Sequence, residues 1–481
     1  MKTRTFIVIL LLAVASFFTI GCKKQTPEEP SVSPFGRALR SIDIVSRVDT
    51  IIPTQNPANY NELYQVTFTQ PVDHNNPSAG TFEQKAFLFY VDSERPTVLY
   101  TCGYNLDDDF KKMPFVDLAY NMNANLLMVE HRYFGSSKPA NPTDWTYLTI
   151  SQAAADHHAI IQALRPLLPR EWVSTGTSKD GMTSVFLRYF YPDDITVTTA
   201  FCSPFMTSID NRPVGHFLQE ESGTPEERNQ MRALMNRLLQ EGEHGLYTRF
   251  LELVEENNLN DPNNEITYTS FVNDCVEYFF AFFSYQTPAT RHMADLNLPD
   301  DELITTIFKD LFERVDLSSF YPYCIQTAKE LENYVNDFTP YANLLEGTSF
   351  DFNKILQDPS KLKAEDRWLY GTYNNTLLKD IRNNFIPNTT CPILFVYAKD
   401  DPWTGARPDR INEQYSKLVI NPIGVHDHDI NNEQHYTLAM KQEIMDFIAR
   451  YVPYGNDPVV AKRPTLSYGH KLNDTFMIYK R

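Results

Sequence analysis

The spacing of apolar and polar residues changes along the chain, and each spacing predicts a different element. Across residues 64–90 apolar and polar positions alternate, which is typical of antiparallel strands with one buried face. Residues 97–101 and 124–129 are continuous apolar runs of the kind that is buried on both faces of a parallel sheet. The stretch between these runs, residues 110–122, is a candidate crossover helix.

A strand, a sharp turn and a helix are predicted in the middle of the chain. Ser151 is the predicted N-cap of a long helix whose apolar stripe continues to Leu168. A β-prone run starts at Trp172, and beyond it apolar residues recur at helical spacing until Pro192 ends the helix. A further strand is predicted at residues 197–201.

Between residues 206 and 385 the apolar spacing is helical. One helix begins at the capping box of residues 224–227 and ends at Gly242. Other helices are predicted at residues 271–283, 301–315 and 325–338. Strands return at residues 392–397 and 417–420, and a last amphipathic helix is predicted at residues 432–451.

Alternating strands and helices predict an α/β fold with a doubly wound, mostly parallel sheet, interrupted by an inserted α-helical cap. The predicted division of the chain is a signal peptide at 1–22, a flexible tether at 23–40, a first sheet part at 41–205, the cap at 206–385, a second sheet part at 386–455 and a C-terminal tail at 456–481. The part of the tether before residue 35 is rich in Pro, Glu and Ser.

Composition restricts the partners of this fold. With 481 residues, 42% of them hydrophobic and 13% aromatic, the chain can bury a large core. Its formal net charge of -18 argues against nucleic acid or an anionic membrane surface as the partner, since both favour Lys and Arg. We therefore expect a soluble body that binds neither nucleic acid nor anionic lipid headgroups.

The N-terminus resembles a bacterial lipoprotein signal. Lys2 and Arg4 precede an apolar run at residues 6–20 that is too short to span a bilayer comfortably, and Gly21-Cys22 follows. Thr19 stands where such signals usually have leucine. The resemblance implies acylation of Cys22 and a protein held by a lipid anchor at the bacterial cell envelope. An ordinary secretory signal is the alternative.

Five further cysteines are far apart in the sequence and odd in number: Cys102, Cys202, Cys275, Cys324 and Cys391. One or two disulfides are possible, with at least one free thiol. Neither a Cys-x-x-Cys motif nor a Cys/His cluster suggests structural zinc. No metal and no cofactor is therefore predicted.

Ser178 lies at the predicted turn between strand and helix. A serine there has its hydroxyl lifted clear of the sheet edge, beside free N–H groups at the positive end of a helix. Gly176 precedes it by two residues, but the position two residues after it is Asp180, with Gly181 next. A side chain two residues after the serine usually collides with the neighbouring strand, so glycine is usual there. The alternative is a serine that only caps the helix.

An acid and a histidine follow later strands. The strand that ends at residue 397 is followed by Asp400 and Asp401, and the strand that ends at residue 420 is followed by His426 and His428. Serine, acid, histidine is the chain order of α/β-hydrolases. We favour Asp401 because it directly precedes Pro-Trp, and His426 because of its Gly-x-His spacing. The aspartates could instead be turn residues, and the histidines could bind a cation or be solvated.

These residue types suit acyl transfer. A serine hydroxyl becomes a good nucleophile when an imidazole accepts its proton, and a carboxylate fixes the imidazole tautomer. The oxyanion that forms needs donors that are already in place. The backbone N–H of Lys179, with that of Gly103 or Tyr104, is the predicted pair.

Several motifs together resemble the bacterial serine tripeptidyl aminopeptidase family, which is similar to the prolyl carboxypeptidase and dipeptidyl-peptidase II family. They lie at residues 130–137, 148–153, 176–181, 401–403 and 424–426. Lysine after the serine favours the first family. The resemblance implies an α/β-hydrolase that cleaves short peptides from free N-termini, with Ser178 as nucleophile, Asp401 as orienting acid and His426 as base. Asp180 departs from the family pattern, which has glycine there.

Two features leave alternatives open. Glu130 ends a buried strand, and it is either a structural carboxylate paired with Arg132 or a backbone N–H, or an acid that binds a substrate ammonium group. The aromatic run at residues 278–283 is interpreted as part of the cap core rather than as the lining of a substrate pocket. A membrane-tethered serine exopeptidase is the first functional hypothesis. An esterase or lipase of the same fold and a non-catalytic surface binding protein are the alternatives.

Overall fold

The structure is a computed structural model that describes residues 33–114, 116–208, 212–259, 266–311, 320–331, 335–356 and 362–454. The predicted signal peptide, the acylation site Cys22 and the C-terminal tail lie outside the described residues. Among the described residues, no helix combines the length and the apolar character that a bilayer span requires.

In the part of the chain that the structure describes, nine strands form one sheet. They are β1 Val45–Thr50, β2 Glu62–Pro71, β3 Thr81–Tyr90, β4 Thr97–Thr101, β5 Asn125–Val129, β6 Trp172–Thr177, β7 Val197–Phe201, β8 Ile393–Ala398 and β9 Lys417–Asn421. Their order is β1-β2-β3-β5-β4-β6-β7-β8-β9. The pairings from β1 to β2, β2 to β3 and β3 to β5 are antiparallel, and the others are parallel.

The apolar patterns correspond to positions in this sheet. β2 alternates between buried and half-buried residues, whereas every residue of β4, β5, β6, β7 and β8 is buried. Fully buried strands need helices on both faces, and the continuous apolar runs of the sequence reflect that. The strand order and the parallel pairing confirm the predicted α/β-hydrolase fold class. The edge strand β1 was not predicted, because four of its six residues are polar and none is buried.

Four helices correct the sequence predictions around the sheet. The predicted tether is wrong for its last residues, because α1 is a helix at Pro34–Arg40 whose Leu39 is fully buried. The crossover predicted at residues 110–122 is two short helices, α2 Asp109–Lys112 and α3 Asp117–Met122, which Pro114 separates. The helix predicted from Ser151 is α4 Ile150–Leu164, and its N-cap is Thr149.

The helix after Ser178 is α5 Lys179–Phe190. The helices between β7 and β8 are α6 Arg212–Glu220, α7 Pro225–Leu239, α8 Leu246–Glu256, α9 Tyr268–Tyr285, α10 Asp300–Leu311, α11 Tyr321–Lys329, α12 Ala342–Leu345, α13 Phe352–Leu356, α14 Thr376–Asp380 and α15 Ile386–Asn388. The last helix is α16 Leu438–Ala449, which begins six residues later than predicted. The cap boundaries at residues 206 and 385 stay predictions.

Apolar side chains of α7, α8, α9 and α10 form one cluster of buried residues. The α9 run Tyr278–Phe283 is buried, and five of its six residues belong to this cluster, as the cap-core interpretation predicts. The predicted capping box at Thr224 is present at the start of α7. All five cysteines in the described residues are free, so the disulfides considered possible are not formed among them.

Candidate active site

Ser178 lies between β6 and α5 on a backbone that non-glycine residues rarely adopt. Its φ is 57° and its ψ is -124°. Its N–H donates to Phe201 O at 2.8 Å, and its carbonyl accepts the Met182 N–H at 3.0 Å. These contacts hold the turn in a strained conformation of the kind found at functional sites. Ser178 is half-buried and directly follows the carboxyl end of β6.

Two glycines allow this turn. A Cβ on Gly176 would lie 2.4 Å from the backbone carbon of Asp180, and a Cβ on Gly181 would lie 2.1 Å from Ser203 Oγ. The close approach that usually requires glycine two residues after the serine is met here by Gly181. The Asp180 side chain turns aside and accepts a hydrogen bond from Tyr100 Oη at 2.7 Å. Asp180 is therefore compatible with the strand-turn-helix.

Asp401 and His426 form a buried pair. Asp401 follows β8 and His426 follows β9, and His426 Nδ1 lies 2.7 Å from Asp401 Oδ2. The other oxygen of Asp401 accepts the Trp403 N–H at 3.1 Å. The His426 N–H donates to the carbonyl oxygen of Ser284 in α9 at 2.8 Å. The carboxylate thus faces one ring nitrogen and fixes the orientation of the imidazole.

The neighbouring Asp400 and His428 have other partners. Asp400 accepts hydrogen bonds from Arg291 at 2.5 Å and from the Gly223 N–H at 3.1 Å. His428 Nδ1 lies 2.5 Å from Thr177 Oγ1. Burial lowers the pKa of His428, which keeps its ring neutral. Geometry therefore separates His426 from His428, although they are two residues apart in one loop.

Cys202 lies beside the pair and raises a metal alternative. Its thiol and the ligand atoms of Asp401 and His426 all lie within 4.8 Å of one another. A metal-bound cysteine must be a thiolate. Burial and the charge of Asp401 raise the pKa of Cys202 well above its ordinary value, so without a metal ion the group is a thiol. Asp401 Oδ2 and His426 Nδ1 already lie at hydrogen-bond distance, 2.7 Å, as expected of an acid that orients a base.

The predicted oxyanion donors require one correction. The Lys179 N–H is at the first position of α5, as expected. The Gly103 N–H, however, donates to Asp180 Oδ1 at 2.5 Å, so Gly103 is not a candidate donor. Tyr104 is the remaining candidate in this loop. Its ring lies 4.6 Å from Lys179 Nζ, which places the loop beside the start of α5.

Glu130 is a structural carboxylate, and its assignment as a substrate ligand is corrected. It is fully buried, and its oxygens accept the N–H groups of Leu106 at 2.9 Å, Ser136 at 2.9 Å and Ser137 at 3.0 Å. This is the backbone alternative considered for it. Arg132 pairs with Asp156 instead, at 2.7 Å.

Sequence reasoning missed two contacts of the acid and base. Ser284 Oγ lies 3.4 Å from Asp401 Oδ1, and the ring of Tyr285 stands edge-on to that of His426, with centroids 6.0 Å apart. Both residues end the aromatic helix α9. A short motif cannot reveal such contacts, because they depend on where α9 ends relative to the sheet.

Comparison with known proteins agrees with this geometry. The profile of the PS-10 peptidase S37 family matches residues 38–432. A prolyl tri/tetrapeptidyl aminopeptidase from Streptomyces mobaraensis is 28% identical over 416 residues, which are 82% of this chain and 81% of that protein. The lysosomal Pro-X carboxypeptidase from Homo sapiens is 27% identical over 247 residues, which are 46% of this chain and 44% of that protein.

A solved structure of an alpha/beta fold family hydrolase from Bacillus anthracis str. Sterne also aligns with this chain. The TM-score is 0.32 at 12% sequence identity, and the alignment covers 80% of this chain and 99% of that one.

Proposed function

The chain belongs to the PS-10 peptidase S37 family and is a serine peptidase, and on that premise we propose that it releases short peptides, tripeptides foremost, from free N-termini. The proposal assigns Ser178 as nucleophile, His426 as general base and Asp401 as orienting acid. It is carried by the buried Asp401–His426 hydrogen bond at the same sheet edge as the strained turn of Ser178.

In this proposal Ser178 Oγ attacks the carbonyl carbon of the scissile bond, and its proton passes to His426 Nε2. The negative charge that develops on the carbonyl oxygen is stabilised by backbone N–H groups, for which Lys179 and Tyr104 are the candidates. The C–N bond then breaks, and the leaving amine takes the proton from His426. Water hydrolyses the acyl-enzyme through the same sequence of proton transfers.

Two features support cleavage counted from a chain end. The C-terminal end of α9 lies against Asp401 and His426, so helices cover one side of the site. A long chain cannot thread through a site closed on one side, whereas an end can enter it. The name of the Streptomyces relative also states a tri/tetrapeptidyl aminopeptidase.

Glu277 is our candidate for binding the substrate ammonium group in place of Glu130. It precedes Ser284 by seven residues in α9, so both lie on one helix face, about 10 Å apart along the helix axis at 1.5 Å per residue. Glu277 is exposed, and its charge, with that of Asp401, adds to burial in raising the pKa of Tyr285. An extended tripeptide spans a similar distance, roughly 10 Å.

The test compares free and N-acetylated forms of one chromogenic tripeptide. We expect acetylation to lower kcat/KM by about ten- to a hundredfold, because it removes the charge-assisted hydrogen bond of the ammonium group to the Glu277 carboxylate, which otherwise accepts one from Asn336 Nδ2 at 2.7 Å. Glu277→Gln should lower kcat/KM for the free peptide by a similar factor and leave the acetylated peptide unaffected. Glu255→Gln, an exposed acid in α8, is the matched control.

Equal cleavage of the two peptides, or internal cuts in a folded protein, would favour an endopeptidase. Preferential cleavage of short esters would favour the esterase alternative. The panel includes proline and alanine on the acyl side of the scissile bond, because the names of both relatives mention proline. A gain in kcat/KM for proline would extend that preference to this chain.

We also propose that Cys22 is acylated and holds the enzyme at the bacterial cell envelope. The support is the short apolar run that ends in Gly21-Cys22. The wild type and Cys22→Ser, expressed in a bacterium, should partition differently between detergent and aqueous phases. Identical aqueous behaviour would reject the anchor without affecting the peptidase assignment.

A further inference from the structure

The peptide units on both sides of Gly103 are held by the two residues that follow Ser178. Lys179 Nζ donates to Gly103 O, and Asp180 Oδ1 accepts the Gly103 N–H at 2.5 Å. A Cβ on Gly103 would lie 2.8 Å from Lys179 Cγ and 2.9 Å from Asp180 Oδ1. Glycine at this position therefore allows the first turn of α5 to contact the loop after β4 from both directions.

The Asp180 carboxylate is itself fixed. Its second oxygen accepts the hydrogen bond from Tyr100 Oη at 2.7 Å, and its backbone carbonyl accepts one from Thr101 Oγ1 at 2.8 Å. Asp180 is 6% exposed. Each carboxylate oxygen therefore has its own donor in or just after β4, so the side chain can hold the Gly103 N–H in one direction.

The Lys179 ammonium group lies among aromatic rings. Nζ is 4.6 Å from the ring centroid of Tyr104, 4.4 Å from that of Phe134 and 5.5 Å from that of Tyr323. Burial lowers the pKa of Lys179 well below its ordinary value, and the charge of Asp180 opposes that change. The rings and the Gly103 carbonyl confine the side chain to one geometry.

The direction of the Gly103 carbonyl sets the direction of the neighbouring Tyr104 N–H. The Gly103 carbonyl and the Tyr104 N–H belong to one planar trans peptide, so they point in opposite directions. Fixing the carbonyl oxygen therefore fixes the direction of the Tyr104 N–H. An oxyanion donor contributes fully only when its direction is set before charge develops.

We propose that Lys179 and Asp180 are positioning residues that hold the two peptide units around Gly103, and so direct the Tyr104 N–H toward the oxyanion formed at Ser178. The proposal rests on Ser178 being the nucleophile. It gives a role to the residue at which this sequence departs from the family pattern. Asp180 takes the place of a glycine and joins the turn of the nucleophile to the loop of the second donor.

The contact should weaken in acid. Burial raises the pKa of Asp180 to about 6, against the lowering effects of Tyr100, the Gly103 N–H and Lys179. Cys102 is the other titratable group that faces it, and burial raises the pKa of that thiol further above neutrality. Below about pH 6 one carboxyl oxygen carries a proton and becomes a donor, so one of the two hydrogen bonds, from Gly103 or from Tyr100, is weakened. Asparagine has the same single acceptor oxygen as the protonated acid, but it does not titrate.

The first test measures kcat, KM and the rate of inactivation by a fluorophosphonate for Asp180→Ala and Asp180→Asn between pH 5 and 9. At pH 8 we expect Asp180→Ala to lower kcat and the inactivation rate about ten- to a hundredfold, less than the loss of a whole oxyanion donor, with KM nearly unchanged. Asp180→Asn should be slower than wild type at pH 8 by about the factor that wild type loses when Asp180 is protonated, and less impaired than Asp180→Ala, since it keeps one acceptor oxygen. It should also lose less activity than wild type between pH 7 and 5.

Equal rates for Asp180→Ala and wild type would overturn the proposal. So would an Asp180→Asn profile that falls as steeply as that of wild type between pH 7 and 5, and this comparison remains decisive if the alanine variant does not fold. The inactivation rate needs no peptide substrate, so it separates this proposal from the exopeptidase assignment. If the fluorophosphonate did not label wild type at Ser178, the assignment of Ser178 as nucleophile would be wrong, and not the positioning role alone.

The second test replaces Lys179 by methionine, which fills the aromatic surroundings but cannot donate to Gly103 O. We expect kcat and the affinity for a peptide aldehyde, whose adduct carries an oxyanion, to fall about tenfold together. The affinity for the matching product peptide should not change. Lys112→Met, at an exposed lysine, is the control. Equal weakening of aldehyde and product would show that Lys179 only shapes the cleft, and would overturn its positioning role.

Discussion

The turn at Ser178 and the aromatic helix α9 are both buried, yet they use burial in opposite ways. Around the turn, polar groups of β4, α5 and the loop after β9 are buried and bonded to one another, and Ser178 keeps a strained backbone. In α9 the buried groups are mostly aromatic rings that pack on neighbouring helices. Asp401 and His426 lie where the two regions meet.

The difference predicts where substitutions act. Removing a group from a bonded polar region changes the direction or charge of its partners, and chemistry depends on both. Removing a ring from an apolar cluster leaves a cavity, which lowers the free energy of unfolding of the whole protein. Activity and stability should therefore respond to different residues, with Ser284 and Tyr285 at the end of α9 between the two.

The largest effect is expected for Ser178→Ala. Loss of a triad nucleophile commonly lowers turnover by about four to six orders of magnitude, while the melting temperature should hardly change. Loss of fluorophosphonate labelling checks the assignment, with Ser78→Ala, at an exposed serine, as the control. Labelling that survives in Ser178→Ala would place the nucleophile elsewhere.

The two histidines of one loop give the next contrast. His426→Ala should lose several orders of magnitude in kcat, because the imidazole that Asp401 orients, and that accepts the Ser178 proton, is then missing. His428→Gln should stay within about tenfold of wild type, since its partner Thr177 keeps an acceptor. Rates are measured on the chromogenic tripeptide. An inactive His428→Gln beside an active His426→Ala would exchange their roles.

Phe279→Ala tests the apolar region. Phe279 is fully buried, and truncating a buried phenylalanine costs about 3–5 kcal/mol of unfolding free energy. Urea denaturation measures the loss, while kcat per folded molecule should stay within about threefold of wild type, as expected of a group that makes no contact in the transition state. Phe352→Ala, at a residue that is 41% exposed, is the matched control. A loss of kcat with unchanged stability would show that α9 serves the chemistry along its whole length.

The sequence predicted the elements whose cause is local. Continuous apolar runs predicted β4 and β5, and a capping box predicted the start of α7, because spacing and caps act within a few residues. The order serine, aspartate, histidine indicated the two loops, and the Pro-Trp after Asp401 and the Gly-x-His spacing chose Asp401 and His426 within them, which the structure joins at 2.7 Å. Their catalytic roles stay predictions until the variants are measured.

Other features depend on contacts between distant segments. Glu130 could not be assigned from sequence, because its donors come from the loop at Ser136 and Ser137 and from Leu106. The contact of Asp180 with Gly103 joins residues 77 positions apart. Neither contact has a local pattern, so sequence alone gave alternatives for the first and only a departure from a family motif for the second.

The smallest predicted effect is a change in the free energy of unfolding in acid, and it comes from buried histidines. Burial lowers the pKa of His131, His157 and His428, so the native state keeps these rings neutral where the unfolded chain binds protons. Stability should therefore fall as pH drops below about 6.5, by up to about 1.4 kcal/mol per pH unit for each ring. His428→Gln removes one of the three, so it should lose about 1 kcal/mol less than wild type between pH 7.5 and 5.5.

Urea unfolding at the two pH values measures this difference. The raised pKa of Asp180 acts in the opposite direction, because a carboxyl group that is protonated more readily in the native state adds stability as pH falls through about 6. That contribution is common to both proteins and cancels in the comparison. His216→Gln, at an exposed histidine in α6, should follow the wild-type curve. Parallel curves for His428→Gln and wild type would mean that His428 is protonated in the folded protein. The choice of His426 rather than His428 as the base would then rest on the Asp401 contact alone.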